Sequence, residues 1–190
     1  MRHLDHWPAR MMLALLLLLA AAGAAVGDGR VDARKQLRDL RTETLNQLYK
    51  ENPEAKIQIR KAAGYGVFGV TGVHILFVGG GGGRGIVRDN LSGRDTYMKM
   101  GLVSGGLGIG AKDARTVMIF HNRKVLKKFL DKGWTFGGEA EATAKVEGKG
   151  GTASELEMPE GILVYQLTTT GMMAKSTVVG TKFWRDDELN

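Results

Sequence analysis

Apolar positions along this chain recur first at helical spacing and later at strand spacing, and the change falls at Gly64. Residues 30–51 contain neither proline nor glycine and carry Leu37, Leu40, Leu45 and Leu48 in register, which predicts a helix. Asp28 or Asp32 is its expected cap. Asn52 before Pro53 is a second N-cap with a first-turn proline, opening a shorter helix to about Ala62 that Gly64 ends. Beyond it the apolar pieces Val73–Val78, Tyr97–Val103 and Thr116–Phe120 are short, β-branched and bounded by turns, as strands are. Asn90–Gly93 predicts a hairpin turn between Ile86–Arg88 and Thr96–Met100.

A third helix is expected from Asn122 to Lys132, closed by Gly133. Val125, Leu126, Phe129 and Leu130 form its single apolar face, with Arg123, Lys124, Lys127 and Lys128 opposite. Residues 137–154 read as weak edge strands or a loop, Ile162–Leu167 as a strand, and Met172–Phe183 as a glycine-interrupted strand pair. Helices first and strands afterwards indicate an α+β fold. Residues 64–110 hold 16 of the 28 glycines, and glycine inside strands marks bends and close backbone approach. The expected architecture is therefore N-terminal helices packed on a strongly curved, barrel-like antiparallel sheet with one inserted helix.

The N-terminus changes where such a fold would work. Arg2 and Arg10 precede the apolar run Met11–Ala22, and small residues follow at Ala22, Ala24, Ala25 and Gly27. Residues 1–27 thus read as a signal peptide, too short in its apolar run for a spanning helix of about 20 residues. Residues 28–190 form one domain, expected in the periplasm. The chain of 190 residues has no cysteine, which excludes disulfide scaffolds, thiolate metal sites and cysteine nucleophiles. Its net charge of +7 leaves +6 on residues 28–190, since Arg2 and Arg10 outweigh Asp5 by one. A basic exported domain meets anionic lipid rather than chromosomal DNA.

The run Lys61-Ala62-Ala63-Gly64-Tyr65-Gly66-Val67-Phe68, followed by Gly79–Gly85, resembles the opening of the SYLF domain, or Ysc84 family. The resemblance continues through Gly105, Gly106, Gly108 and Gly110, then Val117–Phe120, Phe129–Gly133, and Tyr165, Gly171 and Gly180, over about residues 30–185. It implies binding to anionic membranes. In eukaryotic relatives it also implies phosphoinositides and, for some members, actin, neither of which is expected for an exported chain. The family's closing Gly-Leu-Phe-Ala-Gly stands here as Gly171-Met172-Met173-Ala174-Lys175, with a cation in place of a small residue.

Enzymatic signals are weak. Gly80–Gly85 matches a dinucleotide pattern in letters, but β-like Ile86-Val87-Arg88 follows where a helix is required. The bland reading of the glycines is a bent sheet; the functional one is a phosphate-cradling loop of Gly81, Gly82 and Gly83 with Arg84. Outside the signal peptide the histidines are His74 and His121, each beside an apolar strand, so no metal or other cofactor is assigned. Ser104 lacks the glycine two residues earlier that a nucleophile elbow needs, and Glu139 and Glu141 lie in a polar stretch. No nucleic-acid-binding module is recognisable and aromatics are only 7%, so nucleic acid is not an expected partner.

The basic helices say more. Arg30, Arg34, Arg38 and Arg41 share a narrow sector beside the leucines, with Asp32, Asp39 and Glu43 turned away. That arrangement suits a helix lying on an anionic bilayer; the bland alternative is leucines on the sheet with arginines snorkelling along the contact. Lys124, Lys127 and Lys128 are second candidates, joining the arginines if both helices face the same way. The expected function is peripheral, non-catalytic binding to anionic phospholipid. The alternative is a structural or stress-related envelope protein acting through a leucine-centred protein interface.

Overall fold

A computed structural model of the chain describes residues 7–69, 82–102, 115–136, 145–146, 155–158, 161–168, 171–172 and 181–190. In chain order the elements are α1 (Trp7–Glu51), α2 (Pro53–Lys61), β1 (Gly64–Gly69), β2 (Gly82–Asp89), β3 (Asp95–Leu102), β4 (Arg115–Phe120) and α3 (Arg123–Lys132). They continue as β5 (Trp134–Phe136), β6 (Lys145–Val146), β7 (Glu155–Met158), β8 (Ile162–Thr168), β9 (Gly171–Met172) and β10 (Thr181–Arg185). The strands form one sheet in the order β5-β10-β3-β2-β1-β4-β8-β7-β6, with β9 paired to β8. Every described pairing is antiparallel, and the sheet curls into a half-barrel, as an α+β reading requires.

Strand alternation sorts the core into two sides. Val67, Val117, Ile119, Leu163, Tyr165 and Leu167 meet Leu45 and Leu48 of α1 and Ala55 and Ile59 of α2. Their neighbours Phe68, Val87, Met98, Met118, Phe120, Val164 and Phe183 point the other way, onto Val125, Leu126 and Phe129 of α3. The sheet therefore lies between α1 with α2 on one face and α3 on the other. A third cluster joins Leu37 and Ala33 to Ile86, Tyr97 and Leu189, so the described core lies wholly within residues 28–190.

Two helix boundaries match the sequence closely. Asn52 caps α2 by accepting from the Glu54 amide, and Asn122 caps α3 by accepting from the Val125 amide. Gly133 ends α3 at φ 67°, a left-handed conformation that favours glycine. Two other boundaries differ. Neither Asp28 nor Asp32 caps α1, because the Ala- and Leu-rich segment before them continues the helix without a break. Gly64 does not end α2; Ala62 does so in an extended conformation, and Gly64 already opens β1. The expected strand Val73–Val78 lies outside the described residues.

Gly64 and Gly66 of β1 and Gly83 and Gly85 of β2 lie on the face turned to α3. A methyl group on Gly64 would stand 2.8 Å from Leu126 Cδ2, and one on Gly66 would stand 2.8 Å from Phe68 Cε2. The helix and the Phe68 ring thus occupy the space that side chains would fill, which lets the sheet curl around α3.

Candidate functional site

Three of the four arginines singled out on α1 are engaged within the protein. Arg41 pairs with Asp95 at 2.8 Å, its side chain only 13% exposed. Arg34 donates to the Leu189 carbonyl at 2.9 Å and lies over the Tyr97 ring, and Arg38 donates to the Tyr97 hydroxyl at 3.3 Å. Arg30 alone of the four has no described contact and stays exposed. The leucine stripe beside them is in the core, Leu37 at 1% and Leu48 at 0% exposure. The snorkelling arrangement is the one present, because the sheet, and not solvent, takes the apolar stripe. The same burial removes α1 as a leucine-centred protein interface.

The expected phosphate loop is also corrected. Gly82, Gly83 and Arg84 lie within β2, where all three pair with β3 and Arg84 also pairs with Gly69 of β1, and Gly81 lies outside the described residues. The extended strand turns successive amides to opposite edges, so these residues do not form the concave nest that would cradle a phosphate. Arg84 points to the α1 side, 2.9 Å from Asp186 and 3.0 Å from Glu188. Asp186 is completely buried and also faces Lys99 at 3.5 Å. The C-terminal residues complete this closure: Asn190 bonds both the amide and the carbonyl of Tyr97.

On the opposite face, α3 turns Arg123, Lys124, Lys127, Lys128 and Lys132 to solvent. Lys127 pairs with Asp131 at 2.6 Å, and Lys128 sits 4.3 Å from the centre of the Trp134 ring. Because the sheet separates α1 from α3, the two basic groups form two surfaces and not one.

One end of the sheet holds a cluster that sequence reasoning missed. Gly64 is register partner to both Asp89 and Phe120, so the β2–β3 turn, the end of α2 and the start of α3 converge there. Asp89 receives both Nη atoms of Arg123, at 2.6 and 3.0 Å, and accepts from the Leu91 and Ser92 amides. Asn90 donates to the Ile59 and Ala62 carbonyls at 2.7 and 3.0 Å, satisfying the last turn of α2. Arg88 reaches back to the Gly93 carbonyl and pairs with Asp95. The turn is braced from both helices, and Leu91 at its tip is 81% exposed. A leucine between Asn90 and Ser92, where turns favour polar residues, was the available signal.

The Arg123 hydrogen bonds, with those from the Ser92 and Leu91 amides, hold the Asp89 carboxyl well below the usual carboxylate range. A depressed folded value contributes stability that is complete above the unfolded value near 4 and fades as pH falls below it. Asp89→Asn should therefore cost about 1–2 kcal/mol at neutral pH, a modest figure because water screens the half-exposed Arg123. In urea titrations the gap between variant and parent should narrow below about pH 4. A gap that is constant down to pH 2 would show that the charge of Asp89 is not what matters.

Among the described residues no group of three or more histidine, aspartate or glutamate side chains gathers as a metal site would. His121 is exposed at the end of β4, and His74 lies outside the described residues.

Comparison with known proteins agrees with the resemblance. Residues 101–190 match the Ysc84 family model, described as "Las17-binding protein actin regulator". The chain is also similar to beta cell expansion factor A of Aeromonas veronii, 28% identical over 158 residues that cover 83% of this chain. The matched region spans 59% of that relative's length.

Proposed function

We propose, from the match of residues 101–190 to the Ysc84 family model, that this domain is a non-catalytic module binding anionic phospholipid surfaces peripherally. With export directed by residues 1–27, that surface is the periplasmic side of the envelope. The observation that carries the reading is α3, which exposes five basic side chains in ten residues against the single acid Asp131. Its apolar face is consumed by the core, so binding is electrostatic, with each cation near the surface contributing about 1 kcal/mol.

Residues 28–190, which hold the described core, should pellet with vesicles containing phosphatidylglycerol at low salt and not with phosphatidylcholine alone. Raising the salt to about 1 M, where the screening length falls to about 3 Å, should release the protein. Lys124→Gln with Lys127→Gln should weaken binding by about 2 kcal/mol, roughly thirtyfold. Undiminished binding would remove α3 from the mechanism, and no pelleting under any condition would sink the membrane reading.

A further inference from the structure

We infer that the β2–β3 turn is the point at which this domain inserts into an anionic bilayer, with Leu91 as the inserted side chain. The inference rests on the membrane reading above and moves the contact away from α1, where the sequence had placed it. Leu91 is the most exposed large apolar residue described, at 81%, against 60% for Val31 and 48% for Ile57. An apolar side chain held in water has no folding benefit, and the polar residues that suit a turn would serve the chain equally well there.

The turn is not a loose loop tip. Asp89 fixes the Leu91 and Ser92 amides and is itself clamped by Arg123, while Asn90 is fastened to the carbonyls ending α2. Leu91 is therefore presented in one orientation, so little ordering is required on contact. The elements that meet at the turn carry cations. Arg94 follows in the turn, Lys61 stands next to the Ala62 carbonyl that Asn90 binds, and Lys124 adjoins the Arg123 that clamps Asp89. All three are exposed and none has an ion pair among the described residues. The nearby acids Asp89 and Asp95 are neutralised by Arg123 and by Arg41 with Arg88. Ile57 is exposed on α2 with Lys56 and Arg60 on the same helix, two residues before the tethered Ile59 carbonyl and five before that of Ala62. An apolar tip on a turn whose bracing elements carry cations without ion pairs among the described residues complements a bilayer interface, where the leucine enters below the headgroups and the cations meet phosphates.

The absence of native cysteine makes the test direct. Leu91→Cys and, as the control on α1, Val31→Cys are each prepared in residues 28–190 and labelled with an environment-sensitive fluorophore. Phosphatidylglycerol vesicles at low salt should shift the emission of the label at position 91 to the blue and leave that at position 31 unchanged. Leu91→Ser should weaken vesicle pelleting roughly tenfold to thirtyfold with an unchanged urea midpoint. Pelleting accompanied by a shift at position 31 and none at 91 overturns this inference and leaves the membrane reading standing. No pelleting at all overturns both. A blue shift without vesicles, with a doubled mass in sedimentation, assigns the tip to a second copy of the chain and overturns the inference.

Discussion

Gly85→Ala should leave the domain unable to hold its native sheet. The added methyl group would stand 2.6 Å from the Val67 carbonyl oxygen and 2.7 Å from Phe68 Cε1, and it would overlap Phe68 Cδ1. Phe68 is completely buried and stacks edge-on against Phe183 at 4.7 Å, so its ring has nowhere to retreat. Trimming the ring would not rescue the variant, because the backbone conflict with Val67 would persist. The expected loss is about 4 kcal/mol or more, a large part of the stability of a domain this size. Gly29→Ala is the contrast: nothing lies within 4 Å of that position in α1, and alanine should be neutral or stabilising. Circular dichroism and soluble yield separate the two. A folded Gly85→Ala protein that had lost only affinity for anions would restore the phosphate-loop reading of this glycine run and defeat the packing one.

Local grammar was legible wherever a boundary depends on a few neighbouring residues. Asn52-Pro53, Asn122 with Gly133, and the Asn90–Gly93 turn each carry their own hydrogen-bond logic, and the structure places them accordingly. β1 was not read as a strand, because Gly-Tyr-Gly-Val-Phe-Gly has too few side chains to show alternation; it is a strand because Phe68 and α3 fill the gaps its glycines leave. The side of the sheet each helix covers was equally hidden. Both helices carry an apolar face, and period-two strands buried on both sides offer each a matching surface. That one choice decides the site, since it separates the basic residues of α1 from those of α3. The Asp89–Arg123 clamp was also out of reach, because it joins residues 34 apart through the register of β2, β1 and β4.

The fate of the α1 arginines yields the second large effect. Arg34→Gln, Arg38→Gln and Arg41→Gln together should lower stability by about 3 kcal/mol, at roughly 1 kcal/mol for each contact removed, and leave vesicle affinity of the folded protein nearly unchanged. Arg41 shares Asp95 with Arg88, so its loss leaves that carboxylate one partner and limits the cost. Arg34 reaches the Leu189 carbonyl across 155 residues of sequence, so its removal loosens α1 and the C-terminal turn at once. That turn covers Arg84 with Asp186 and Glu188, and Leu189 packs between Leu37 and Tyr97. Loosening it should appear in hydrogen exchange as faster exchange of the Tyr97 amide, which Asn190 protects in the parent. An amphipathic helix that served as the membrane contact would behave in the opposite way, losing binding with its urea midpoint intact. The helix of this chain spends its apolar stripe on the sheet, and Arg34, Arg38 and Arg41 on the strand edge and tail, so its substitutions should register as lost stability.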